Sequence, residues 1–191
     1  MILEVSKVTA LDEMLREKGA QGVLTMAENE PLTRETVEAS PFFATLEEAF
    51  HESIDTRARF YVEGKAFFYA SPEGIVALIT ALYALSRGNR SSAALTASPE
   101  ANTLRLTIPA QEHGLDRLPE RLSHALRALA ERMEVLIGTS RGGITLTVPL
   151  ARAAVISSYI ASKDTLCAYV ERTVQDLCLL EKGNSGIIKR S

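Results

Sequence analysis

The sequence predicts an α/β (α+β) fold, a two-layer sandwich in which a mixed, mostly antiparallel sheet is covered on one face by helices. Three observations carry this. From Phe42 the patterns run helix, two strands, helix, two strands, helix, two strands. The middle helix is apolar around most of its circumference, so it needs a sheet on one side and another element on the other. One strand alternates Leu104, Leu106 and Ile108 with Arg105 and Thr107, which marks a sheet with one dry and one wet face.

Ahead of this pattern, Ile2, Val5 and Val8 form a short apolar opening, and Leu11 to Lys18 reads as a helix ending at Gly19. Val23 to Met26 suits a strand or a continued helix equally. Pro31 and Pro41 bracket an extended or briefly helical stretch, because a proline biases its predecessor away from helix. Phe42, Phe43, Leu46, Ala49, Phe50 and Ile54 then recur at helical spacing. Arg59 to Glu63 and Ala66 to Tyr69 are aromatic and β-branched, two strands joined tightly through Gly64-Lys65. Ser71 is the N-cap of the next helix, with Pro72 at its first position and Gly88-Asn89 as its stop, giving a span of about 72–87.

Ala93 to Ala97 and Leu104 to Ile108 are strands around a turn at Pro99 to Asn102. After the polar loop Gln111 to Arg117 comes a surface helix whose stripe is Leu118, Leu122, Leu126, Leu129 and Met133. Glu134 to Ile137 and Ile144 to Val148 close as a hairpin around Thr139 to Gly143. Asp164 to Glu181 is the final helix, followed by a Gly/Ser/Lys tail. Three regions result: an N-terminal attachment (1–41), the sandwich (42–150), and a C-terminal interaction helix with a flexible tail (151–191).

Composition narrows the function classes. The 191 residues are 46% hydrophobic and 24% charged, an ordinary globular balance. A net charge of −3 provides no field for nucleic acid or an anionic membrane. The longest apolar run, Gly74 to Leu85, is far short of the ~20 residues of a membrane helix. Met1 to Lys7 lacks the features of a signal peptide, so a cytoplasmic location is expected. Cys167 and Cys178 lie about 16 Å apart along one helix, beyond disulfide reach, and read as reduced thiols.

In residues, Ala70-Ser71-Pro72-Glu73-Gly74-Ile75, continued by Ile79 to Leu85, resembles the opening of the nucleotide-binding helix in the ATP-binding domain of histidine kinases and their GHKL relatives. Leu126 to Met133 and then Ser140 to Leu150 resemble that family's last helix and closing hairpin. The resemblance runs from Phe42 to Leu150 and implies a Bergerat-like sandwich and a place in bacterial two-component signalling. The departures fall where the family's chemistry resides. Leu85 stands at the magnesium-chelating asparagine and Ala81 at an earlier asparagine, and neither offers the oxygen a hard cation requires. Ala110 stands at the adenine-reading aspartate. Of the lid glycines only Gly114 remains, with Glu112 nearby, and Leu122-Ser123-His124-Ala125 replaces the glycine-rich phosphate loop. Ala81, Leu85, Ala110, Gly114 and His124 therefore mark a vestigial pocket, and neither a cofactor nor a metal is expected.

Other reactive residues have plainer roles. His51-Glu52 begins like a phosphoacceptor box, but the continuation Ser53-Ile54-Asp55-Thr56-Arg57 departs from it. His113, Glu112, Asp116 and His124 have no spacing that makes them converge as metal ligands. Ser140-Arg141-Gly142-Gly143 is a hairpin turn, and Cys167 is a small hydrophobe. The final helix carries an a/d seam, Leu166, Val170, Thr173, Leu177 and Leu180, with Glu171, Arg172, Gln175 and Asp176 opposite. That seam either meets a protein partner or second copy, or packs back on its own sheet.

The expected function is a non-catalytic, pseudokinase-like regulatory or scaffolding module acting through protein contacts. The alternative is a divergent active nucleotide-binding domain of a sensor histidine kinase or a histidine phosphotransferase. A small-ligand-binding domain that shares the fold is a third reading.

Overall fold

The computed structural model describes residues 32–53, 57–86, 94–109, 120–141, 143–152, 159–160 and 162–173. The expected helix 11–18, the segment 23–26, Ile54, the stop at Gly88-Asn89 and the loop 111–117 lie outside them. Strand β1 spans Glu35–Glu38, and helix α1 follows directly over Ala39–Ser53. Pro41 sits in the first turn of α1, where its missing N–H leaves no intrahelical bond unmade. The helix buries Phe42, Phe43, Leu46, Ala49 and Phe50 at the expected spacing. Val37 and Ala39 are also fully buried, so the sandwich begins before Phe42 and the expected boundary at 41 moves back into the attachment.

β2 (Arg59–Val62) and β3 (Phe67–Ala70) are strands as expected, but they do not pair with each other. β3 pairs antiparallel with β1, whereas β2 pairs parallel with β4 (Ala94–Glu100). Gly64, at a φ of 65°, turns the chain between them in the left-handed region open to glycine. Two alternating strands with a short link suggest a hairpin. Here both find better-matched partners elsewhere in the chain.

Helix α2 covers Pro72–Ser86, and the Ser71 hydroxyl accepts the Gly74 N–H at 3.2 Å, the N-cap geometry expected of Ser-Pro. Every residue from Ile75 to Tyr83 is buried. β4 runs on to Glu100 and pairs with β5 (Thr103–Ile108), so the turn shortens to Ala101-Asn102. Pro99 is tolerated because β2 pairs with β4 only as far as Ala97, leaving the proline on a locally open edge.

Helix α3 (Glu120–Arg132) leads into β6 (Leu136–Ser140) and β7 (Gly143–Pro149). The large sheet has the order β2-β4-β5-β7-β6, with one parallel and three antiparallel pairings. Its inner face is Phe60, Leu95, Ala97, Leu104, Leu106, Ile108, Ile144, Leu146 and Val148, all buried. A row of threonines, Thr96, Thr107 and Thr145, crosses the other face. An α+β sandwich with one wet sheet face is the observed class.

The expected strand start at Glu134 is instead a helix stop. Val135 N–H reaches Ala130 O at 2.9 Å and Glu134 N–H reaches Glu131 O at 3.0 Å, the paired bonds of a Schellman motif. This places Glu134 at φ 58°, where glycine is the usual residue. Glu134→Gly is expected to raise the melting temperature by about 1–4 °C, since the strain removed outweighs the exposed ion pair with Arg34. An unchanged or lower value in a thermal melt would give the Arg34 contact the larger share.

Candidate functional site

The resemblance would place a nucleotide between α2 and α3. Ala81, on α2, is fully buried. From α3 and its stop, Ala125, Leu126, Leu129, Ala130 and Met133 are buried as well. Gly74 has no Cβ, and the Met133 thioether occupies the space one would take. The start of α2 and the residue that follows α3 therefore approach closely, and that contact is made by a thioether against bare backbone. No side chain among these can ligate a hard cation or charge-pair with a phosphate.

His124 projects from α3 to solvent. Leu85 lies in the last turn of α2. Ala110 and Gly114 lie outside the described residues, as do Glu112, His113 and Asp116. Among the described residues no three His, Cys, Asp or Glu side chains gather as a metal site.

A second region is the helix expected from Asp164 onward. Residues 163–173 form helix α4, capped by the Ser162 hydroxyl on Thr165 N–H at 3.2 Å. Its seam residues Leu166, Val170 and Thr173 are buried in the chain's own core. Among the described residues these three side chains are buried within the chain itself. They are not an exposed interaction surface, while Leu177 and Leu180 lie outside the described residues. Thr173 is accommodated by its hydroxyl, which donates to Tyr169 O at 2.9 Å.

Polar clasps hold α4 at each end. Near its start, Lys163 pairs with Glu52 of α1, and the Cys167 thiol lies 3.7 Å from the same carboxylate. The Lys163 ammonium is the main reason the Glu52 carboxyl is held below its usual range. Near its end, Arg172 meets Glu73 of α2 at 2.9 Å. Burial pushes the Glu73 carboxyl up despite that guanidinium. Glu73, Ala77 and Thr80 fall at i, i+4 and i+7, on one face of α2. The Thr80 hydroxyl on that face is fully buried and has no hydrogen-bond partner among the described residues. Such a group costs about 1–3 kcal/mol. Beside α4, Tyr159 bonds through its N–H to Thr36 O at 2.7 Å, and its phenol is pushed up to about 12, by burial first and then by the neighbouring Tyr169.

His51, half-buried at the end of α1, is tied to the chain that follows. Its Nε2 lies 2.7 Å from Ala58 O and 2.9 Å from Arg59 Nη1. It can donate to the carbonyl or accept from the guanidinium, not both at once. Either bond anchors the ring at the junction of α1 and β2.

The element order, the wet sheet face and the helix layer are those of an α+β sandwich. Among solved structures, the chain is similar to the Acinetobacter baumannii histidine kinase AdeS, with 14% identity and a TM-score of 0.48 over 69% of this chain and 75% of that one. It is also similar to the cytoplasmic segment of the histidine kinase QseC (15% identity, TM-score 0.42, 74% and 90% covered). A further similarity is to the ATP-binding domain of PrrB from Mycobacterium tuberculosis (13%, 0.42, 63% and 99%). No family model matches the chain, and no curated protein matches it. No helix among the described residues is long and apolar enough to cross a membrane. What this chain binds is decided by its own residues.

Proposed function

We propose that the chain is a non-catalytic regulatory or scaffolding module of bacterial two-component signalling, a cytoplasmic relative in shape of the histidine-kinase ATPase domain that acts through protein contacts. The observation that carries this reading is Ala81, a methyl group fully buried where the resemblance expects a polar asparagine. Leu85 and Ala110 remove the other two polar groups of the same chemistry. The tight contact of Gly74 with Met133 supports it by drawing α2 and α3 together through apolar atoms.

Titration calorimetry with millimolar ATP is expected to give no magnesium-dependent heat. Saturable binding tighter than about 100 μM, worth roughly −5.5 kcal/mol, would overturn the reading and return the chain to the divergent nucleotide-binding class.

A further inference from the structure

The large sheet ends in two edges that differ. At β2 the edge is closed by a side chain, since the Glu47 carboxylate of α1 accepts the Phe60 N–H at 2.7 Å. At β6 nothing comparable occurs among the described residues. The β6–β7 hairpin closes at Ser140 opposite Gly143 with two residues between, so Ser140, Gly138 and Leu136 exchange bonds with β7. Ile137 and Thr139 then aim their N–H and C=O groups away from the sheet.

The strand Leu136-Ile137-Gly138-Thr139-Ser140 holds no charge and no proline, the usual devices that blunt an edge. Leu136, beside that edge, is 70% exposed. The charges lie at its ends. Arg34 and Arg152 stand near Glu134 before the strand, and Arg141 is in the turn after it. Arg34 is paired with Glu134, and Glu131 and Arg132 offset each other by charge, so Arg152 and Arg141 leave the ends of this edge net positive in a chain whose net charge is −3.

We propose that β6 accepts an extended segment of a partner protein as a sixth strand, with a β-branched or apolar centre and acidic residues at both ends. Backbone bonds to Ile137 and Thr139 supply the pairing, and the flanking arginines select the charge. A second copy fits less well, because antiparallel pairing of two β6 strands would bring Arg141 of each toward the cluster of Arg34, Arg152 and Glu134 of the other, which is itself net positive. This inference rests on the reading of the chain as a protein-binding module. Nucleotide calorimetry tests that reading separately, so the two can fail independently.

The probe is the fluorescein-labelled peptide Asp-Glu-Thr-Val-Thr-Val-Thr-Glu-Asp, titrated with the whole chain by anisotropy. Binding is expected with Kd below about 1 mM, at least about tenfold tighter than for a peptide whose acidic residues are replaced by lysine. Thr139→Pro should abolish it while leaving the melting temperature nearly unchanged, since the N–H removed faces outward. Arg141→Glu should weaken it about fivefold without touching the ladder. No binding at millimolar chain, equal binding of the lysine peptide, or undiminished binding by folded Thr139→Pro would overturn the proposal. So would a dimer of the parent chain in sedimentation that Thr139→Pro dissolves, which would assign the edge to a second copy.

Discussion

Val170→Glu is expected to leave the chain unfolded, or with its cooperative thermal transition lost at room temperature. Val170 is fully buried in α4 between Leu166 and Thr173, and its side chain belongs to the same core as the sandwich. A carboxylate placed there loses its water and gains no partner, at a cost of several kcal/mol even after protonation or local relaxation. Domains of this size hold about 5–15 kcal/mol in total. The neighbouring exposed Glu171→Lys is the control and should change little. Circular dichroism melts of both beside the parent decide the matter. A folded Val170→Glu with the parent's melting temperature would mean that α4 is not docked in solution, and its seam would again be available to a partner.

Phe43→Ala is expected to cost about 3–5 kcal/mol, the range for removing a buried phenyl ring. Phe43 has no exposed surface. Its ring lies 5.3 Å from Phe42, 6.1 Å from Phe68 and 6.4 Å from Phe60, centroid to centroid. Those rings come from α1, from β3 of the small sheet and from β2 of the large one. The substitution therefore opens a cavity where the two sheets and α1 meet, and neighbours on three backbones cannot all move in to fill it. Tyr61→Ala, on the exposed face of β2, provides the contrast and should cost well under half as much. Urea unfolding measures both. A loss below about 1 kcal/mol for Phe43→Ala would show that the core repacks around the void.

Much of the local structure was legible because its causes are local. Ser71-Pro72 caps α2 through an oxygen three residues from the N–H it accepts. The alternation Leu104, Leu106, Ile108 recurs as buried positions with Arg105 exposed between them. The apolar spacing marks α1, whereas β1 ahead of it reads in sequence as part of an attachment. β1 is only four residues long and carries two glutamates, so its sequence records neither an edge strand nor its partner β3.

The candidate site divides similarly. That Ala81, Leu85 and Ala110 carry no oxygen or charge in their side chains follows from the sequence alone. That Met133 fills the space beside Gly74 needed the fold, because the two are far apart in the chain and meet only when α2 and α3 pack. The clasp of Arg172 on Glu73 and the carboxylate that closes the β2 edge are equally long-range.

By itself the sequence determined most of the segments that become helices and strands from Phe42 onward, and which face of each is apolar. Only the tertiary structure decided what each apolar face meets. Periodicity in a helix or strand states that one side must leave water, and many surfaces satisfy that demand equally. The described part of the α4 seam is buried in the chain itself, β2 and β3 part into separate sheets, and β6 is the last described strand of its sheet. In each case the outcome depends on contacts between segments distant in sequence, whose relative stability no single segment records.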